Sequence, residues 1–416
     1  MVSKYVKITL VSLLVLGILV PVFFFSFYQG ARREIVIDLW YTYEGIDVIQ
    51  SQISEYEELY SNIQINLQEQ PSSGWIDKFI SVAQTGDSPD IFLGKGSWFG
   101  DLAELEYIQP LTPFLTPQYE AIFAESAIEG LSYENELWGL PLWFDSILLF
   151  YNKDLFDQNA LSYPTSNWTD TDLVDLAVSM TDRSINQIYG LVWATISPYM
   201  WPSFQYGFDH GPLYQNDTIN INDTASINAM EFIYNLKYVQ RCVNYDDSSN
   251  SAIQAFTTKK GAMMIYGGWY IPALEETEIN YGVQILPIIS STQKRITPMV
   301  EVKGWGMSKD TEYPDICYDI MKFLSSEDTQ EEMIISEYKV PTLNKLIDSD
   351  LVQNDPNLLI QIEQISFSQY YPVDPVYSIY SSYMRAALQF ILVDHQDIET
   401  TLNEAQAGIN ANLGGD

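Results

Sequence analysis

The sequence predicts an α/β chain of two lobes, each a mainly parallel sheet flanked by helices, joined by strands that cross between them. Three observations carry this expectation. Segment 35–93 alternates short β-branched runs with amphipathic stretches in the order strand, helix, strand, helix, strand, the pattern of a parallel sheet with helices on its faces. A second block of similar character begins near residue 146 with no low-complexity linker before it, so the connection is expected to run through strands. The chain has 416 residues, of which 47% are hydrophobic, enough for a large core and more than one lobe.

The elements follow in order. Ile35 to Trp40 (IVIDLW) is β-branched and ends in the aromatic turn YTYEG, which predicts the first strand. Ile49, Ile53, Tyr56 and Tyr60 are spaced four, three and four apart, as one face of a helix requires. Ile63 to Leu67 is the second strand, Trp75 to Ala83 the second helix and PDIFL the third strand. Ligands of such sheets sit at the carboxyl ends of the strands, where YTYEG and GKGSWFG fall. In the second block, helices are predicted over Asp170 to Met180 and Ala225 to Arg241, and strands over AMMIYG (262–267) and YGVQILP (281–287). Pro314 to Leu324 places Ile316, Ile320, Phe323 and Leu324 on one side, and Ile398, Leu402, Ala405 and Ile409 mark a terminal helix.

The net charge is −35, from 55 acidic and 20 basic residues. Such a surface repels nucleic acid and anionic lipid, so neither is an expected partner. Residues 1–33 differ in kind: Lys4 and Lys7 precede an uncharged run from Ile8 to Phe27. At roughly 20 residues this is long beside the roughly 7–15 of a cleaved leader, and no clear A-x-A site follows it. It reads as an uncleaved membrane anchor, with a signal peptide as the alternative; either leaves the remainder extracytoplasmic, at the cell surface or in the periplasm. No cysteine lies directly after the run, which argues against a lipid anchor. Cys242 and Cys317 are expected as buried thiols, although a bridge is permitted in that compartment.

No catalytic motif emerges. The stretch GKGSWFG spaces its glycines as G-x-G-x-x-x-G, one residue too long for a dinucleotide fingerprint, with Trp98 and Phe99 where a phosphate loop needs small residues. His210 and His395 stand at no metal-ligand spacing, so no metal or cofactor is expected. With 55 acidic residues in the chain, the presence of two carboxylates does not by itself mark a glycosidase pair. A secreted carbohydrate-active enzyme remains the alternative from another class.

Several stretches, taken together and in order, resemble one family. IVIDLWYTYEG, TGDSPDIFLGKGSWFGDLAELEYIQPL, LWGLPLWFDSILLFYNKDLF, FTTKKGAMMIYGGWYIPAL, GVQILPII and KGWGMSKDTEYPDICYDIMKFLSS resemble the extracellular solute-binding proteins of ABC importers, in the sugar-binding group that includes maltose-binding protein. The resemblance implies a two-lobe periplasmic-binding-protein-like fold closing on a ligand. It implies a first lobe of 34–144 plus 264–312 and a second of 145–263 plus 313–416. It further implies a monomer with ABC importer permease subunits as partners and a mono- or oligosaccharide as ligand.

A sugar offers C–H faces that stack on aromatic rings and hydroxyls that need donors and acceptors. The candidate contacts are therefore loop aromatics with acids beside them. Trp40, Tyr43 and Glu44 end the first strand, and Trp98 sits in GKGSWFG, expected as a ligand-facing loop. Asp145, Tyr199, Trp201 and Trp269 match sugar-contacting places in the family, and Trp305, between glycines, is expected to face the cleft. Near the C-terminus, Ser381 stands where the family has a tryptophan, which leaves Tyr377 or Tyr380 to replace it. A non-sugar solute is the rival within the binding class. Lys95 and Lys303 suit a polyol phosphate or carboxylate, and Glu44, Asp145, Glu301 and Asp374 suit an amine.

Overall fold

The computed structural model describes residues 34–184, 187–215, 218–244 and 246–413. The expected anchor or signal segment, 1–33, lies outside the described residues. The opening alternation holds: β1 (Ile35–Tyr41), α1 (Ile46–Leu59), β2 (Ile63–Glu69), α2 (Trp75–Ala83) and β3 (Ile91–Lys95) follow one another as the hydrophobic spacing requires. After β3 the chain turns at once into α3 (Gly96–Glu104), so GKGSWFG is the start of a helix rather than a loop. Gly100 has a packing reason: a Cβ there would lie 1.7 Å from the Val373 carbonyl oxygen.

Further along come β4 (Gly139–Asp145), β5 (Ile147–Asn152), β6 (Tyr189–Val192), β7 (Gly261–Gly267), β8 (Tyr281–Gln284), β9 (Met299–Met307) and β10 (Val340–Pro341). One sheet has the order β10-β4-β9-β3-β1-β2 and the other β8-β5-β7-β6. Both sheets are mixed. β1 runs parallel to β2 and β3, but β9 is antiparallel to β3 and β4. In the other sheet only β6 and β7 are parallel. The strands that cross between lobes enter a sheet from the opposite end, which sets their direction against the strands already there. Every residue of β4, β5 and β9 is buried, as expected of strands covered on both faces.

Two main cores result, one around β1 to β4 and β9, the other around β5 to β7. Their membership shifts the expected lobe boundaries. Residues 264–299 stay with the second lobe, where Ile265, Leu286, Ile289, Ile296 and Met299 are buried, and the chain returns only at Val300. Residues 313–358 belong to the first lobe, not the second: Cys317, Ile320, Leu324, Met333 and Leu358 sit in its core. The reason is α1, whose inner face covers the helix Pro314–Leu324: Tyr56 donates to Asp319 at 3.1 Å and meets the Phe323 ring at 5.3 Å. The chain re-enters the second core at Tyr371. Cys242 and Cys317 are free, buried thiols in opposite cores.

The first crossing is abrupt. β4 ends at Asp145 and β5 begins at Ile147, so Ser146 alone separates the sheets, with its carbonyl accepting from the Gly268 N–H at 2.9 Å.

Candidate functional site

A cavity of about 910 Å³ opens between the lobes. The first lobe lines it from the carboxyl ends of its parallel strands: Tyr43 and Glu44 after β1, Ser72 to Asp77 after β2, Lys95 and Trp98 after β3. The second lobe contributes Tyr199, Tyr266 and Trp269, and the helix Tyr377–Leu392 adds Tyr377, Ser378, Ser381 and Arg385. Asp145, Glu301 and Lys303, at the crossing strands, also line it.

The aromatic groups are arranged by their elements. Trp98 lies flat on Trp75, with centroids 4.5 Å apart and planes at 7°, and Trp75 lies on Phe79 at 5.1 Å. Tyr43 is held at φ 94°, a backbone conformation that is an outlier for a bulky residue. Across the gap, Tyr199 stacks on Tyr371 at 5.2 Å and meets Trp269 edge-on at 6.1 Å. Trp269 folds back over its own chain because residue 267 is glycine: a Cβ there would be 2.1 Å from the indole.

Beneath the rings lies a layer of charge. Lys303 pairs with Asp145 at 3.1 Å, Lys339 with Glu44 at 3.0 Å and with Asp145 at 3.7 Å, and Lys95 with Glu301 at 3.6 Å. Burial works to raise the Asp145 pKa, but Lys339 and Lys303 outweigh it and hold the carboxyl below its usual range. Burial likewise works to lower Lys95, and Glu301 more than offsets it. Both groups therefore stay ionised. Burial, with Glu301 and Asp145 adding to it, pushes the Tyr43 and Tyr199 phenols well above the ordinary value, so both keep their protons. At the rim, burial pushes Asp101 up to about 6, against the opposing pull of Ser378 and Lys95.

Tyr43, Glu44, Trp98, Asp145, Tyr199, Trp269 and Tyr377 are thus brought together around one cavity. Trp40, Trp201 and Trp305 are not. Trp40 is packed edge-on against Trp75 and Phe79, on the helix side of β1. Trp201 is buried in the second core within the wholly buried helix Trp201–Gly207. Trp305 is 0% exposed, because β9 is a central strand that puts it opposite Leu93 on one side and Leu140 on the other. Its glycine neighbours do not open it to the cleft. Of the two tyrosines offered in place of the missing tryptophan, Tyr377 lines the cavity and Tyr380 is core.

Other groups at the site went unread. Trp75 follows Gly74 in PSSGW, at the carboxyl end of β2, and the rule that picked out the loops after β1 and β3 applies there as well. Lys339 reaches the charge layer from a distant segment, and no local pattern announces it.

The arrangement offers ring faces on both walls and paired charges on the first, suited to holding a molecule between the lobes. Residues 44–331 match the model of the family described as bacterial extracellular solute-binding protein. The chain belongs to that family. As a solute-binding protein of an extracellular family it acts outside the cytoplasm. It is 22% identical over 379 residues to the maltotriose-binding protein of Pyrococcus abyssi, covering 89% of this chain and 80% of that protein. It is 21% identical over 382 residues to the galactooligosaccharide-binding protein of Bacillus subtilis, covering 89% and 87% respectively. In structure it matches the maltose/maltodextrin-binding domain of Bdellovibrio bacteriovorus bound to maltotriose, with a TM-score of 0.83 and 21% identity. That match covers 91% of this chain and 100% of the other, and it establishes the two-lobe α/β fold of the solute-binding proteins here.

Proposed function

We propose that this solute-binding protein captures a mono- or oligosaccharide between its lobes and delivers it to the permease subunits of an ABC importer. The observation that carries the reading is the pairing of partly buried rings on the second lobe, Tyr199, Trp269 and Tyr377, with Tyr43 and Trp98 on the first, around a cavity of about 910 Å³. Rings on both walls suit the two C–H faces of a sugar, and the acids and amines beneath suit its hydroxyls. The sugar-binding relatives named above support the same class of ligand. In this reading Tyr43, Glu44, Trp98, Asp145, Tyr199, Trp269 and Tyr377 contact the ligand.

Closure follows from the same geometry: only a shut cleft satisfies contacts from both walls, so a bound saccharide favours the closed population. The lysines weigh against an anionic solute, since Asp145 and Glu301 already neutralise Lys303 and Lys95. The reading takes the protein as a monomer that binds without turnover, held to the membrane by 1–33 or released if that segment is cut. Calorimetric titration of the purified chain with maltotriose, maltotetraose and a galactooligosaccharide tests it. Saturable binding with the saccharide recovered intact is expected. Binding only to an amine or phosphate ester, or turnover of the sugar, overturns the reading.

A further inference from the structure

Two polar atoms at the floor of the cleft have no hydrogen-bond partner. Glu301 is 1% exposed and lines the cavity. Its Oε1 accepts from Ser97 Oγ at 2.9 Å and faces Lys95 Nζ at 3.6 Å, whereas Oε2 has no partner. The Tyr43 hydroxyl is also buried and unpartnered. An anionic oxygen buried without a donor is costly, and such groups in folded proteins call for an explanation. The backbone sharpens the case, since Tyr43 is held at φ 94°, a strain of the kind that concentrates at functional sites. Strain and lost hydrogen bonding thus converge on one side chain, and Glu301 lies two residues from Lys303 on the same face of β9, with the Lys303 amine 4.8 Å above the Tyr43 ring.

We propose that Glu301 and Tyr43 form one subsite that grips a single hydroxyl of the ligand, which accepts from the Tyr43 phenol and donates to Glu301 Oε2. The assignment rests on the carbohydrate reading above and narrows it: the saccharide must present a free, unsubstituted hydroxyl at this depth. A hydroxyl both donates and accepts, matching an acceptor-only carboxylate beside a phenol. An ammonium is opposed by Lys95, 3.6 Å from Glu301, and by Lys303, 4.8 Å above the Tyr43 ring. A phosphate or carboxylate brings no proton for Oε2 and meets a like charge.

The test compares wild type, Glu301→Gln and Tyr43→Phe by calorimetry with maltotriose, maltotetraose and a galactooligosaccharide, alongside thermal melting without sugar. Each variant is expected to bind the best of these saccharides about tenfold more weakly. The melting temperature of Tyr43→Phe should be unchanged or higher, because the variant removes an unsatisfied hydroxyl and keeps the ring. Among monodeoxy derivatives of that saccharide, one should lose about tenfold on wild type and little on Glu301→Gln. Saccharide binding with unaltered affinity in both variants overturns the subsite and leaves the carbohydrate reading standing. A loss of affinity in Tyr43→Phe matched by a lower melting temperature overturns it too. A wild-type chain that binds none of the saccharides overturns both readings.

Discussion

On the first lobe Trp98 lies flat on Trp75, and Trp75 on Phe79, in a column whose members cover one another's faces. On the second lobe Trp269 meets Tyr199 and Tyr266 edge-on, at 64° and 62°, and both Trp269 and Tyr199 stay half-buried. Stacking uses up ring faces, whereas edge contacts support a ring and leave a face free. Trp98 is therefore anchored on one face by its own lobe, whereas Trp269 is held by edge contacts; Tyr199, stacked on Tyr371 at 5.2 Å, has one face covered as well. Tryptophans on the two walls should fail differently when removed.

The largest effect sharpens the contrast from inside the first lobe. Trp305→Ala is expected to cost about 3–5 kcal/mol of stability, read as a lower urea midpoint. Any loss of ligand affinity should disappear where the variant remains folded. Trp98→Ala should come next, costing about 3 kcal/mol of stability through the broken column together with some affinity. If it melts like wild type, the first wall is not self-supporting and the contrast breaks.

A smaller effect comes from Asp101, whose carboxyl accepts from Ser378 of the other lobe at 3.3 Å. Its folded pKa of about 6 lies above the unfolded value near 3.9, so the folded state binds the proton more tightly. Its contribution thus rises as pH falls from about 6 toward 4, by at most on the order of 2–3 kcal/mol. Asp145 has the opposite sign: its pKa is lowered, so its contribution is present above the unfolded value and is lost as pH falls through the lower folded one. Melting curves from pH 7 to 3 for wild type and Asp101→Asn should differ in slope between pH 6 and 4, and parallel curves would remove the Asp101 term. The smallest free-energy change is assigned to the second wall: Trp269→Ala should weaken saccharide binding about tenfold or more, roughly 1.4 kcal/mol, with little change in melting temperature.

Much of this architecture was legible in the chain. The β-branched runs and helical spacings marked β1 to β3 and the helices Trp75–Ala83, Asp170–Met180 and Pro314–Leu324 with the bounds observed or close to them, because apolar runs and one-sided apolar spacing both follow burial. Lobe membership was harder to read. An amphipathic helix such as Pro314–Leu324 advertises that it has a buried face but not whose core will cover it, and Tyr56 and Phe323 settle that only in three dimensions. The same limit explains the tryptophans. Trp305 and Trp269 both follow glycines, yet one lies in a central strand and the other just past a strand end, and that placement decides between core and cleft. Lys339 shows the remaining gap, since a charge brought in by a distant segment leaves no mark on the local sequence.

The crossing at Ser146 leaves little slack between the two sheets. With a single residue between two fully buried strands, any change of angle between the lobes at this crossing would have to be absorbed by the dihedrals of very few residues. Gly100 on α3 likewise leaves no slack, because the Val373 carbonyl occupies the space a side chain would need.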